Sequence, residues 1–469
     1  MTSFKHHFEP SNLREYDIRG IVGKSLHNDD AYALGRTFGS IVRRSGGQVV
    51  AVGYDGRVSS PDLEQALVKG LVASGITVLR VGLGPTPMLY YTSVTRKADG
   101  AIMVTGSHNP PDHNGFKMML HGKPFFGKQI KQLGGFAEAG DVVEEAAGQV
   151  ETVDPSDSYI TRLLQDYDGE KPLKVVWDNG NSAAGDVLTR LVKHLPGEHT
   201  VLFPEIDGTF PNHHPDPTVE ANLSDLIAEV RRQKADVGVA FDGDADRVGV
   251  VDGEGNILWG DQILVLLARD VLQKRPGETI IADVKASQVL FDEVAKAGGK
   301  PLMWRTGHSL IKSKMAETAS PLAGEMSGHI FFADKWYGFD DALYGAIRVL
   351  GIVARLPETL AAWRSALPVM VNTPELRFPC DDTRKFEVIA EVAKRLEQEG
   401  ANVSAIDGVR VQTDDGWWLL RASNTQAVLV GRIEARSHEG LDRLKAAFTA
   451  QLKASGLEAP NFDAAASGH

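Results

Sequence analysis

One pattern occurs three times in this 469-residue chain. "VVAVGYDG", "KVVWDNG" and "TIIADVKAS" are runs of apolar, β-branched-rich residues that end in an aspartate: Asp55, Asp178 and Asp283. A short loop containing serine follows each, and then an amphipathic pattern of helical period. A second apolar strand returns clearly in the first and third copies, as "ITVLRVG" and "KPLMWRTG". The aspartates stand 123 and 105 residues apart, an interval the size of a domain and far longer than a solenoid repeat. A chain of this length does not close around one core. The recurrence therefore predicts three tandem, similar α/β domains with mixed sheets, built from β-α-β units.

The last hundred residues break the pattern. Two helical stretches, "DDTRKFEVIAEVAKRLEQEG" and "GLDRLKAAFTAQLKASG", flank a run of strands, "GVRVQTDDGWWLLRASNTQAVLVGRIEAR". That is an α+β arrangement, with "ARLPETLAAWRSALPVMVNTPEL" as the Pro-bounded joint before it. The expected limits are 1–153, 154–256, 257–368 and 369–469, and the tail "EAPNFDAAASGH" is expected to fray.

A net charge of −12 argues against a nucleic-acid ligand, which would require a basic footprint. It leaves room for a small phosphorylated substrate held by a few placed cations. No run approaches the roughly 18 apolar residues of a membrane span. The N-terminus has no signal-peptide core, and Cys380 is the single cysteine, so a cytoplasmic protein without disulfides or a Cys-rich zinc site is expected.

Four stretches carry possible chemistry. In "AIMVTGSHNPPDHNGFK", residues 101–117, an apolar strand breaks into a turn bearing Ser107 and His108. Loops at the carboxyl ends of strands in open α/β sheets are where ligands bind. Gly106 is expected to supply unusual backbone angles and Pro110 to fix the exit of the turn. Ser107 fits a nucleophile activated by a base or metal, and equally a turn-capping serine; this loop alone does not choose. In "DVGVAFDGDADRVGVVDG", Asp242, Asp244 and Asp246 crowd three carboxylates into five residues between two apolar strands. Such crowding is costly unless a hard divalent cation such as Mg²⁺ resolves it. An EF-hand is excluded by Arg247 at its glycine position, by Gly253 in place of the bidentate Glu and by the flanking strands. Arg247 suits a phosphate oxygen instead.

In "GEMSGHIFF", Glu325, Ser327 and His329 alternate, so an extended segment would present all three on one face, fit for a polyol or for a polar strand edge. In "RASNTQAVLVGRIEAR", Arg421, Ser423, Asn424 and Thr425 place a guanidinium among small donors, either a phosphate cradle or a turn with a surface arginine. Supporting cations are Arg19 in "EYDIRG", Lys117, Lys285 and His308. "GLGPTPML" lacks the third glycine of a dinucleotide fingerprint, and His213–His214 in "FPNHHPDP" fit an ordered loop better than a metal site.

Taken in order, "TGSHNP", "DGDADR", "GEMSGH" and "RASNT", one per domain, resemble the α-D-phosphohexomutase family over nearly the whole chain. "EYDIRG", "HNPPDHNGFK" and "RTGHSLIK" are similar to its bacterial phosphomannomutase/phosphoglucomutase branch, whereas phosphoglucosamine mutases usually have Gln at the place of Met326. The resemblance implies four domains around a central cleft, the fourth movable. It implies interconversion of hexose 1-phosphate and hexose 6-phosphate through a phosphoserine at Ser107 and a hexose 1,6-bisphosphate that reorients in the cleft. One Mg²⁺ per chain, held by Ser107, Asp242, Asp244 and Asp246, is implied, with glucose 1,6-bisphosphate as activator. Arg247 and Lys117 would stabilise the transferring group, with Lys117, His108 or His329 as proton acceptor. Tyr16, Arg19, Lys285, His308, Glu325, Ser327, His329, Arg421, Ser423, Asn424 and Thr425 would bind substrate. The implied partners are hexose phosphates alone, without nucleic acid or membrane, and the implied state is a monomer. The alternatives are a phosphoglucosamine mutase and a phosphoserine-dependent sugar phosphatase. A non-catalytic sugar-phosphate binder would have no use for the Ser107 and Asp loops.

Overall fold

The computed structural model describes residues 4–424 and 426–462, and in it the three aspartate-ended strands occupy equivalent places in three sheets. Val49–Tyr54 lies between Thr77–Leu83 and Gly100–Val104, parallel to both, and His113–Leu120 returns antiparallel beside Gly100–Val104. Leu173–Asp178 lies likewise between Gly197–Leu202 and Val237–Phe241, with Val248–Asp252 returning antiparallel. Thr279–Asp283 lies between Lys300–Trp304 and Leu322–Gly324, with Ile330–Phe332 returning. One four-strand order thus recurs three times in mixed sheets. The second copy also has its returning strand, which the sequence left indistinct because "GEHTVL" is too polar to stand out.

The strands next to the aspartate-ended ones read as unbroken apolar runs because both of their faces are covered. Gly100–Val104 and Val237–Phe241 are buried at every residue. The fourth unit is the expected α+β: a six-stranded antiparallel sheet centred on Gly416–Ala422 and Val428–Ala435, packed with helices Arg384–Gln398 and His438–Ala454. The tail is better fixed than expected up to its described end. Phe462 sits edge-on to Phe448, 6.2 Å between centroids, and residues 463–469 lie outside the described residues. Among the described residues no helix is long and apolar enough to cross a membrane.

One large apolar cluster joins the first three units, including Tyr90, Trp177, Phe241 and Ile347, beside separate clusters within each, such as that around Phe38, Leu67 and Phe116 in the first. The fourth unit has its own core around Val388, Trp418 and Phe448, and meets the third through the small cluster Val284, Trp417 and Leu419. Burying an indole such as that of Trp417 contributes roughly 4–6 kcal/mol by area. Arg410 reinforces this joint by donating to the carbonyls of Val284 and Ala286 at 2.7 and 2.8 Å. The fourth unit is therefore attached by much less apolar contact than the other three share.

Asp341 caps the fully buried helix Ala342–Val353, accepting from Tyr344 N at 2.9 Å and from the Tyr159 hydroxyl at 2.8 Å. Burial pushes its carboxyl up from 3.8 to about 7. Between those values the folded chain holds a proton that the unfolded chain has lost, so stability falls as pH rises, by at most about 1.4 kcal/mol per pH unit from this group. Asp341→Asn keeps an acceptor for Tyr344 N and removes that titration. Calorimetry at pH 5 and pH 8 should show a smaller drop in Tm across the interval for the variant than for the parent; equal drops would contradict the assignment.

Candidate active site

The equivalent loops between the third and fourth strands of each sheet are the three stretches singled out in the sequence, and they converge. The recurring aspartates explain part of the convergence. Each stands at the carboxyl end of a strand beside the one from which the loop departs. Asp55 Oδ2 accepts from Thr105 Oγ1 at 2.8 Å and Gly106 N at 3.1 Å, and Asp283 Oδ1 accepts from Met326 N at 3.1 Å. Asp178 instead accepts from Gly180 N at 2.9 Å and pairs with His213 Nε2 at 2.9 Å.

Ser107 is buried in the left-handed region, φ +50°, a conformation that persists in a non-glycine residue only where surroundings enforce it. Its N–H donates to Thr105 Oγ1 at 2.8 Å, and its Oγ donates to Asp242 Oδ2 at 2.9 Å and lies 3.2 Å from His108 Nδ1. The expectation for Gly106 is corrected. The unusual angle belongs to Ser107, and Gly106 is needed for space, since a Cβ there would stand 2.4 Å from Arg57 Nε. Gly243 serves the same end from the second unit: a Cβ on it would meet the Ser107 carbonyl at 2.4 Å.

Asp242, Asp244 and Asp246 are buried with oxygens within 4.8 Å of one another. Lys117 Nζ donates to Asp244 Oδ2 at 2.6 Å and Asp246 Oδ2 at 2.5 Å, and Thr86 Oγ1 also donates to Asp244. Burial would strip the Lys117 charge, but these carboxylates outweigh it and hold its pKa well above the usual value. Asp242 is pushed well above the carboxylate range by burial and by Asp246 and Asp244. Burial raises Asp244 too, yet Lys117 prevails and keeps it low. The Oδ1 atoms of Asp244 and Asp246 are buried without any hydrogen-bond donor. Orphaned carboxylate oxygens beside a third carboxylate and a serine hydroxyl fit a hard divalent cation.

The "GEMSGH" stretch is a turn closed by Gly328 N donating to Glu325 O at 3.0 Å, not the extended segment expected from alternation. Its three side chains still reach one cavity. The turn is set by a backbone bridge from Arg247 to His329 in the adjoining loop. Arg247 Nε donates to His329 Nε2 at 3.0 Å, and because a guanidinium only donates, the ring proton belongs on Nδ1. That nitrogen faces Asp340 Oδ2 at 3.1 Å and Asp246 Oδ1 at 3.5 Å. Glu325 Oε1 accepts from Gly307 N at 2.6 Å, and burial pushes its carboxyl up. His308 is driven well down by burial and by Lys312, so it is a neutral ring.

From the fourth unit, Arg421 Nε donates to Asp407 at 3.0 Å, and Asn424 Nδ2 donates to the Tyr16 hydroxyl at 2.7 Å, tying the last unit to the first. Tyr16 in turn donates to Thr306 O at 2.8 Å, and burial lifts its phenol to about 12. Ser423 Oγ accepts from Gln426 N at 3.2 Å. Thr425 lies outside the described residues. Lys285 pairs with Glu375 at 2.9 Å, and Arg19 with Asp17 at 2.5 Å and Asn109 at 2.6 Å.

All four units line one cavity of about 760 Å³. Every catalytic and substrate-binding residue picked from the sequence is on its wall, Thr425 apart, and the three metal-site aspartates lie just behind Ser107 and Lys117. Eight Lys and Arg side chains line it against five Asp and Glu, in a protein whose net charge is −12. The cleft thus reverses the sign of the whole molecule, as an anionic ligand requires. Sequence reasoning missed Arg57, Thr86, Asp340, Glu375 and Asp407. Nothing local marks them, although the recurrence of Asp55 and Asp283 could have been read as loop anchoring. The His213–His214 stretch is the ordered loop expected: His213 pairs with Asp178, and His214 Nε2 donates to His108 O.

Residues 11–141, 157–255 and 259–370 match phosphoglucomutase/phosphomannomutase α/β/α domains I, II and III, and residues 375–451 match the C-terminal domain of the same family. The chain is 47% identical to the phosphomannomutase/phosphoglucomutase of Pseudomonas putida, over 94% of this chain and 95% of the relative. It is 43% identical to a phosphoglucomutase of Neisseria meningitidis serogroup A, over 94% and 96%. The crystal structure of a phosphoglucomutase/phosphomannomutase family protein from Burkholderia thailandensis superposes with a TM-score of 0.91 at 46% identity, covering 96% of this chain and 98% of that one.

Proposed function

The chain belongs to the phosphoglucomutase/phosphomannomutase family of α-D-phosphohexomutases, and from that premise we propose that it isomerises hexose 1-phosphates and hexose 6-phosphates by way of a phosphorylated Ser107. The observation that carries the reading is Ser107 Oγ, held in a strained turn against the buried Asp242–Asp244–Asp246 cluster, opening on a cation-lined cavity.

Phosphoryl transfer depends on positioning and charge neutralisation. The phosphoryl group leaves Ser107 Oγ for the free hydroxyl of a bound hexose 1-phosphate: the P–O bond to serine breaks and one to the sugar forms. The hydroxyl proton passes to His329 Nε2, whose lone pair faces the cavity once Arg247 turns to the phosphate. Lys117 Nζ, held between Asp244 and Asp246, supplies a fixed cation beside Ser107. His108 Nδ1, 3.2 Å from Ser107 Oγ, returns a proton to the departing oxygen. Mg²⁺, one per chain on the three aspartates and Ser107, would neutralise charge on the transferring group.

The resulting 1,6-bisphosphate turns end for end, and its other phosphoryl group returns to Ser107. Arg421, Ser423, Asn424 and Thr425 grip the phosphate not undergoing transfer, while Glu325 and Ser327 bind sugar hydroxyls. Tyr16, Arg19, Lys285 and His308 serve either orientation. The separate core of the fourth unit supports opening for the turn. Added glucose 1,6-bisphosphate would keep Ser107 phosphorylated.

Phosphorus NMR of glucose, mannose and glucosamine 1-phosphates, each with enzyme, Mg²⁺ and a trace of glucose 1,6-bisphosphate, tests the reading. Growth of a 6-phosphate signal for glucose or mannose is expected. Free phosphate in its place would favour a phosphatase, and glucosamine 1-phosphate as the preferred substrate would favour a phosphoglucosamine mutase.

A further inference from the structure

Arg57 follows the first recurring aspartate and is buried to within 1% of its surface, one layer behind the cavity wall that Ser107, His108 and Asn109 form. Its guanidinium is spent on backbone. Nη2 donates to Ser107 O at 2.7 Å and Asn109 O at 2.6 Å; Nη1 donates to Pro110 O at 2.5 Å and His113 O at 3.0 Å. The remaining carbonyl of the turn, that of His108, accepts from His214 Nε2 of the second unit. Every carbonyl from Ser107 to Pro110 is thus drawn to a side-chain donor. Asp55 balances the charge, its Oδ2 3.2 Å from Arg57 Nε, and the Phe210 ring covers the guanidinium with its centroid 5.3 Å away.

We infer that Arg57, seconded by His214, is a positioning residue for phosphoryl transfer: it holds the Ser107 turn in its left-handed conformation with the carbonyl oxygens turned towards the clamp. Two physical reasons make this arrangement matter. A phosphoryl group on Ser107 is anionic, and carbonyl oxygens facing it would repel it as it transfers. The φ of +50° at Ser107 is also unfavourable in isolation, and the Arg57 bond to Ser107 O fixes the peptide that this angle turns. Four acceptors in one fork require the planar guanidinium; an ammonium with three donors on a flexible stem does not span them. The absence of a side chain at Gly106 is part of the same device, since a Cβ would displace Arg57.

This inference rests on the reading of Ser107 as the phosphoryl carrier, and the test separates the two. Arg57→Lys and His214→Ala are compared with the parent for steady-state turnover, for the rate at which Ser107 acquires ³²P from labelled glucose 1,6-bisphosphate, and for Tm. In Arg57→Lys, kcat and the labelling rate should fall together by about 100-fold, the scale expected for a displacement of order 1 Å at the reacting group. KM should stay within about threefold, because the clamp does not touch the sugar-phosphate. His214→Ala, which frees one carbonyl of five, should fall in the same direction by about tenfold, and it decides the matter if Arg57→Lys does not fold. Parental labelling rates in the folded variants, or a loss confined to KM, would overturn the clamp. A parent enzyme that takes no label on Ser107 would overturn the underlying reading instead.

Discussion

Ser107→Ala abolishes isomerisation, with kcat falling by more than about 10⁴-fold, the scale seen when a nucleophile is removed from an enzyme that depends on it. The reason is chemical and not steric. Alanine carries the same Cβ, so it meets the left-handed backbone at the same cost of about 1 kcal/mol, and Thr105 and Arg57 still hold its N–H and carbonyl. What disappears is the single hydroxyl that donates to Asp242 and opens on the cavity. Glucose 1-phosphate should therefore bind the variant within a few-fold of the parent by calorimetry, while phosphorus NMR shows no 6-phosphate growing in. Turnover at parental rate would remove Ser107 from the mechanism. Loss of binding along with turnover would mean that the substitution had collapsed the loop, and Ser107→Gly, free of backbone strain, would then be the cleaner test.

Stripping divalent metal is expected to cost at least about 10³-fold in turnover, recovered on adding Mg²⁺, since the ion's charge stabilisation in phosphoryl transfer is worth several kcal/mol. The aspartate cluster also predicts an effect without substrate. The Oδ1 atoms of Asp244 and Asp246 have no donor, and Lys117 offsets only part of the cluster's charge. Mg²⁺ should raise Tm, with a shift that grows with its concentration as for any ligand bound by the folded state alone. Asp244→Asn should lose both the recovery and the Tm shift. Chelated enzyme that keeps its turnover, or a Tm indifferent to Mg²⁺ in the parent, would take the metal away from this cluster.

Much of the fold was legible because it repeats. A strand with both faces covered must be apolar along its length, so the copies around Asp55, Asp178 and Asp283 stand out, and the antiparallel fourth unit follows from its own pattern of helices and strands. Ser107, the Asp242–Asp246 cluster, Glu325–His329 and Arg421–Asn424 were legible as local clusters of residue types that are costly to place together without a task. Alternation misled at Glu325–His329, where a turn and not a strand brings the side chains together.

The sequence by itself determined the three-plus-one organisation and marked the four local clusters from which the candidate site is built, because burial period and charge crowding are properties of neighbouring residues. The tertiary structure alone decided how those clusters are deployed: that Lys117 is locked onto Asp244 and Asp246, that Arg247 and Asp340 flank His329, and that Arg57 gathers the carbonyls behind Ser107. Asp340 is 94 residues from Asp246, and Lys117 is 127 from Asp244. Contacts across such separations are set by how three similar sheets stack their equivalent loops against one another, and no local period along the chain encodes them.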